Sequence, residues 1–256
     1  MSDTDPVNDS EQTFLSHLIE LRTRLLKAVA VVLLLLLALV PFANKIYGWL
    51  SKPLLERLPA GGAMIATDVA SPFFAPLKLA FFVALFLAMP FILYQLWAFV
   101  SPGLYKHERR LAVPLLASSV LLFYIGCAFA YFLVLPAIFT FMTAVAPVGV
   151  AVMPDISRFL DFALVLFFAF GICFEVPVAL VILVAIGAVT TDQLVKSRPY
   201  AIVGAFVIAA ILTPPDVISQ LLLAIPMCVL YEVGIIAARF VARREQPDEG
   251  PRPSRG

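Results

Sequence analysis

Three carboxylates stand where a carboxylate is either costly or informative. Glu175 lies in Phe174-Glu-Val-Pro177, near the middle of an apolar run from Phe159 to Val189. An ionisable group at that depth costs about 3 kcal/mol or more, and it usually faces a protein interior or a wet cavity. Pro177 removes a backbone hydrogen bond and crowds the carbonyl of Cys173, which predicts a kink beside the acid. Glu20 lies in His17-Leu-Ile-Glu-Leu-Arg-Thr-Arg24, just before the first apolar run. It is either an i,i+4 partner of Arg24 on a solvated helix face or a carboxylate offered to a ligand. Glu108 lies in Tyr105-Lys-His-Glu-Arg-Arg110. It either balances the charge of a basic loop or waits there for an incoming guanidinium. Asp216 closes Thr213-Pro-Pro-Asp216 and can N-cap the helix that follows. Gln220, one turn further on, can hydrogen-bond a neighbouring helix.

Enzyme chemistry is not legible. There is no Walker loop, no His-Glu-x-x-His and no Gly-x-Ser-x-Gly elbow. His17 and His107 have no metal partners in sequence, and Cys127, Cys173 and Cys228 all lie inside apolar runs without metal spacing. The sequence therefore predicts no catalytic residue, no metal and no cofactor.

The elements that must position these residues are membrane spans. Of the 256 residues, 62% are hydrophobic and 14% charged, with a mean hydropathy of +1.00. Soluble domains carry about 25% charged residues, and a soluble fold this apolar could not cover its surface. No basic tract is interleaved with aromatics, so nucleic acid is not an expected partner. A helix needs about 20 residues to cross about 30 Å of hydrocarbon. Apolar runs at 25–43, 77–100, 111–141, 159–189, 200–212 and 217–238 give six spans, the last two short. The acidic residues 1–13 do not read as a cleavable signal. Basic residues crowd one side: Arg22, Arg24 and Lys27; Lys106, Arg109 and Arg110; Lys196 and Arg198; and the C-terminal arginines. The positive-inside rule then places both termini in the cytoplasm. Residues 44–76, with Pro53, Pro59, Gly61, Gly62, Pro72 and Pro76, predict a periplasmic cap of short helical pieces. Residues 1–242 form one membrane domain, and the polar, proline-rich stretch 243–256 is a disordered cytoplasmic tail.

Several motifs together resemble the TatC family, the large multi-span subunit of the twin-arginine protein translocase. They are His17-Leu-Ile-Glu-Leu-Arg-x-Arg-Leu-Leu26, Asp68-Val-Ala-Ser-Pro-Phe-Phe74, Tyr94-Gln-x-Trp-Ala-Phe99, Leu104-Tyr-Lys-His-Glu-Arg-Arg110, Phe174-Glu-Val-Pro177 and Leu212-Thr-Pro-Pro-Asp216. They run in order over nearly the whole chain. The resemblance implies a receptor and core subunit in the bacterial inner membrane that binds Arg-Arg signal peptides at its cytoplasmic face. It implies a peptide site of Glu20, Arg22, Phe99, Glu108 and Arg110, and an intramembrane acid at Glu175. It also implies docking of single-span TatA- and TatB-like partners near Thr213, Asp216 and Gln220, self-association in the complex, and export of folded proteins driven by the proton-motive force.

Two other readings compete. A secondary transporter also uses a proline-broken helix with a central acid, but the two halves of this chain show no matching broken segments. An intramembrane protease needs paired aspartates or a Ser–His pair at depth, and neither is present.

Overall fold

The computed structural model describes residues 6–56, 63–100, 109–145, 153–212 and 217–245. Among them the secondary structure is helical, apart from one isolated bridge between Ile65 and Asp155. Helix α1 (Pro6–Leu39) carries the His17–Arg24 segment straight into the first apolar run. Pro41 stops it in a tight turn at Val40–Phe42, and α2 (Ala43–Leu55) follows. Helix α3 spans Ser71–Val100 with Pro76 and Pro90 inside it.

Helix α4 (Arg109–Phe129) passes through a wide π-helical turn at Ala130–Val134 into α5 (Leu135–Val145). Pro136 explains that turn. Its ring would collide with the carbonyl four residues back, and one widened turn makes room. Helix α6 (Ile156–Ala185) runs unbroken through Pro177. A short α7 (Thr191–Lys196) with a Thr190 capping box precedes α8 (Arg198–Leu212) and α9 (Val217–Glu245).

Among the described residues, five helical stretches are long and apolar enough to cross a bilayer: Leu18–Leu55, Ser71–Phe99, Val113–Val145, Ile156–Ala185 and Val217–Val241. The sixth apolar helix, α8, has only 15 residues, as its short apolar run predicts. The last helix is not short: α9 has 29 residues. No breaker interrupts Arg239-Phe-Val-Ala-Arg-Arg-Glu245, so the helix runs three residues into the segment expected to be disordered. Residues 246–256, and Pro59, Gly61 and Gly62 of the expected cap, lie outside the described residues.

Helix α6 is the centre of the bundle. Half of its most apolar part is buried, against 11% in the stretch Leu18–Leu55, so α1 is peripheral and α6 is the element the others pack on. Helices α4 and α9 flank α6, α3 touches both α4 and α6, α1 lies along α3, and α8 leans on α9. Edge-to-face rings bind the centre together: Phe86 against Phe123 and Phe167, and Phe82 against Phe168.

The start of α6 is stitched to the segment before α3. Asp155 caps α6, one carboxyl oxygen accepting from the amides of Ser157 and Arg158. Its other oxygen accepts from the Thr67 amide at 2.9 Å and the Thr67 hydroxyl at 2.7 Å. These donors, the Arg158 amide first and the Thr67 groups next, hold the Asp155 carboxyl down at about 2. A depressed carboxylate stabilises the fold above its ordinary value and loses that contribution as pH falls towards the folded one. Wild-type protein should therefore lose thermal stability between about pH 4 and pH 2. Asp155→Asn should be flatter over that window, and parallel melting curves for the two would refute the latch.

Helix α8 is about 22 Å long at 1.5 Å per residue, against about 30 Å of hydrocarbon. Helix α7 cannot lengthen it. The chain turns at Ser197, Pro199 follows, and Leu194 is buried against α6 and α9, with Tyr231 donating to its carbonyl. Tyr200 and Ile211, both more than three-quarters exposed, mark the two ends of its outer face. Depth-calibrated spin labels at positions 200 and 211 should both report headgroup-level polarity in partner-free bilayers, as local thinning requires. A label at 211 that reports the hydrocarbon interior would mean the bilayer does not adapt.

Candidate functional site

On the side of the bundle where α1 enters and α3 ends, Glu20 and Arg24 form an ion pair. The Arg24 fork donates from Nε at 2.9 Å and from Nη2 at 2.6 Å to the same Glu20 oxygen. Its third nitrogen donates to Oε1 of Gln95 on α3 at 3.2 Å. The i,i+4 pairing expected from spacing is present, yet this is no loose surface pair. The Arg24 side chain is 24% exposed and the Glu20 side chain 38%, and Gln95 is buried. A shared, half-buried guanidinium fixes the carboxylate far better than the solvated pairs that contribute little.

Arg22 is exposed and lies two residues from Glu20, so it projects from a different face of α1. Phe99 is half-buried at the end of α3. Arg110 lies in the first turn of α4, but its side chain is outside the description, and Glu108 lies outside the described residues. Gln95 was legible only as a motif letter; a lone amide near the end of an apolar helix is the signal that marks it.

A second site lies deeper. Glu175 on α6 faces α4, where the buried Ser119 hydroxyl hydrogen-bonds its carboxyl. The other carboxyl oxygen, Oε1, is buried without a hydrogen-bond partner. Close helix crossings bracket the acid. Gly126 of α4 meets the Phe170 backbone on one side of it, and Gly234 of α9 meets Pro177 on the other. These glycines let the backbones approach, and sequence reading missed them because the contacts are between distant segments.

An orphaned carboxyl oxygen costs about 1–3 kcal/mol, so the site gains by admitting water or a polar group. Cysteine placed at 175 should therefore react with a small water-soluble maleimide. Complete protection of that cysteine would mean that water does not reach the acid.

At the other end of the bundle core, Gln220 of α9 donates to the Phe206 carbonyl of α8 at 3.2 Å, the neighbouring-helix bond its position suggests. Thr213 and Asp216 lie outside the described residues.

The family model for Sec-independent protein translocase protein (TatC) matches residues 16–226. A Sec-independent protein translocase protein TatC of Azotobacter chroococcum is 55% identical over 249 residues, covering 97% of this chain and 98% of that one. The protein of the same description from Escherichia coli K12 is 57% identical over 232 residues, 91% of this chain and 90% of that one. A crystal structure of the twin-arginine translocase receptor TatC superposes with a TM-score of 0.78 at 38% identity, covering 89% of this chain and all of that one.

Proposed function

Because the chain belongs to the TatC family and is thus a multi-pass subunit of a Sec-independent protein translocase, we propose that it is the receptor that binds Arg-Arg signal peptides. The observation that carries this is the Glu20–Arg24 pair. Arg24 occupies the Glu20 carboxylate as an arginine of a peptide would, and its third nitrogen has a second acceptor in Gln95. An incoming guanidinium can therefore replace Arg24 at Glu20 while Arg24 stays hydrogen-bonded. Arginine's planar fork suits such an exchange, and lysine's single ammonium does not. Glu108 supplies the second carboxylate, with Arg22, Phe99 and Arg110 alongside.

In this reading α1, α3, the α4–α5 rod, α6, α8 and α9 are six spans, with both termini and the peptide site cytoplasmic. The cap of α2 and the Asp155 latch is then periplasmic. Single-span TatA- and TatB-like subunits dock on the exposed apolar face of α8 and on α9, near Thr213, Asp216 and Gln220. Transport is driven by the proton-motive force, and Glu175 lies within the path or its lining. The membrane is the bacterial cytoplasmic membrane.

Site-specific crosslinking from positions 20, 99 and 108 to an Arg-Arg signal peptide tests the reading. All three should crosslink, and a Lys-Lys peptide should compete poorly. Equal crosslinking of both peptides would overturn it.

A further inference from the structure

Helix α2 has two unlike faces. Tyr47, Leu50, Ser51 and Leu54 are buried against the bundle. Lys45, Trp49 and Lys52, spaced four and three residues apart, make one outward stripe. Trp49 is 64% exposed, and the Lys45 ammonium stands 6.0 Å from its ring centroid. An exposed tryptophan between two lysines is the side-chain pattern of a membrane–water interface.

Behind the stripe lies a cavity of about 610 Å³, whose apolar wall includes Leu79, Val83, Phe86, Cys127 and Phe167. Its volume is within the roughly 300–1,000 Å³ of small-ligand sites. Trp49, Lys52, Tyr131 and Phe132 also border it, and Tyr131 and Phe132 both belong to the π-helical turn. Tyr131 donates to the Trp49 carbonyl at 2.9 Å and so holds α2 against the rod. Lys52, Tyr131 and Phe132 are shared with a smaller, more polar cavity of about 320 Å³ that also touches Glu56.

We propose that this groove seats one anionic phospholipid of the leaflet on the α2 side, its phosphate held by Lys45 and Lys52 and one acyl chain lying over Cys127. Charge complementarity selects this occupant. The stripe carries two lysines, and among the described residues only Lys52 has a carboxylate near it, Glu56 at 3.8 Å, with both side chains mostly exposed. One positive charge is left over an apolar cleft, which fits a headgroup bearing one negative charge on a hydrocarbon chain. An apolar transmembrane helix would fill the cleft but leave that charge without a counter-ion. The seat is on the opposite end of the bundle from Glu20, and it goes beyond the peptide-receptor reading without depending on it.

The chain has two tryptophans, Trp49 and Trp97, so Trp97→Phe leaves Trp49 as the only fluorophore. In nanodiscs, phosphatidylglycerol with brominated acyl chains should quench Trp49 at low mole fraction and then saturate. Brominated phosphatidylcholine should quench only in proportion to its amount. In Lys45→Gln/Lys52→Gln the two lipids should quench alike. Native mass spectrometry of the unmodified full chain should show one retained phosphatidylglycerol in preference to phosphatidylethanolamine. The double variant should retain it about tenfold less, the size expected for lost charge-assisted bonds. Equal quenching by both lipids in the Trp97→Phe protein, or equal retention by wild type and double variant, overturns the proposal. Quenching no greater than at an exposed tryptophan on α9 does so too, since the groove then holds something other than lipid.

Discussion

Gly126→Val is expected to unseat α4 from α6 and to lower the melting temperature more than any other single substitution considered for this chain. A Cβ at position 126 would stand 2.6 Å from the Phe170 carbonyl oxygen and 3.0 Å from its carbon. Both are backbone atoms in the middle of a helix, so no rotamer change relieves the clash and the helices must separate. At Gly234 the nearest atom is a Leu180 methyl that can move, but the Pro177 Cα at 2.9 Å cannot. At Gly171 the obstacle is the Phe123 ring, a side chain, although a fully buried one. Overpacking costs about 1–3 kcal/mol, and valine at 126 adds two methyls to a Cβ that already does not fit.

Gly48 and Gly204 are the controls, because nothing lies within 4 Å of a Cβ at either position. Alanine at 204, inside α8, should be neutral or slightly stabilising, by up to about 1 kcal/mol. Thermal unfolding in detergent gives the expected order of damage: Gly126→Val, then Gly126→Ala, with Gly204→Ala at or above wild type. A wild-type melting curve for Gly126→Val would mean that the tight crossing is absent. The same substitution should also disturb Glu175, since the Ser119 hydroxyl that hydrogen-bonds it rides on α4.

The largest functional effect expected is on peptide affinity. Glu20→Gln and Glu108→Gln should each raise the Kd for an Arg-Arg signal peptide by roughly 10- to 100-fold. A hydrogen bond to a charged group contributes about 1.5–3 kcal/mol, and each 1.4 kcal/mol is tenfold. Glutamine keeps the shape and removes the charge, so the loss reads electrostatics and not packing. The two substitutions differ in what they leave behind. Glu20→Gln also weakens the ion pair that holds Arg24, although Gln95 still accepts from that side chain.

A cycle against the peptide separates recognition from general damage. Replacing one peptide arginine by lysine should cost wild type most of its affinity, and the matching Glu→Gln variant much less. Titration calorimetry with the purified chain, with a melting curve for each variant, gives both quantities. Unchanged affinity in both variants with folding intact would remove the two carboxylates from the peptide site.

How much of this was legible beforehand follows from the range of the interaction. Membrane insertion, the apolar helices, the short α8 and the place of Glu175 inside α6 are set by composition and by distance along one helix. At 1.5 Å per residue, a residue's level in a span can be counted from the sequence. The Glu20–Arg24 pair is local too, four residues apart, so spacing alone predicts it. Its meaning is not local. Gln95 lies 71 residues from Arg24, and it turns a surface pair into an anchored one.

Other features also needed the tertiary fold. The prolines and glycines of residues 44–76 predict short helical pieces without saying which face of each is buried. Only packing against α3 and the α4–α5 rod gave α2 a buried face and left Lys45, Trp49 and Lys52 outside. The extent of α9 was underestimated because hydropathy marks where lipid ends, while a helix ends where its backbone bonds do. The glycine crossings at 126, 171 and 234 were invisible for a similar reason. In a uniformly apolar sequence every helix face looks alike, because lipid and protein neighbours ask for the same side chains. What decides which face is interior is whether two backbones can come close, and that is a property of pairs of segments brought together only by the fold.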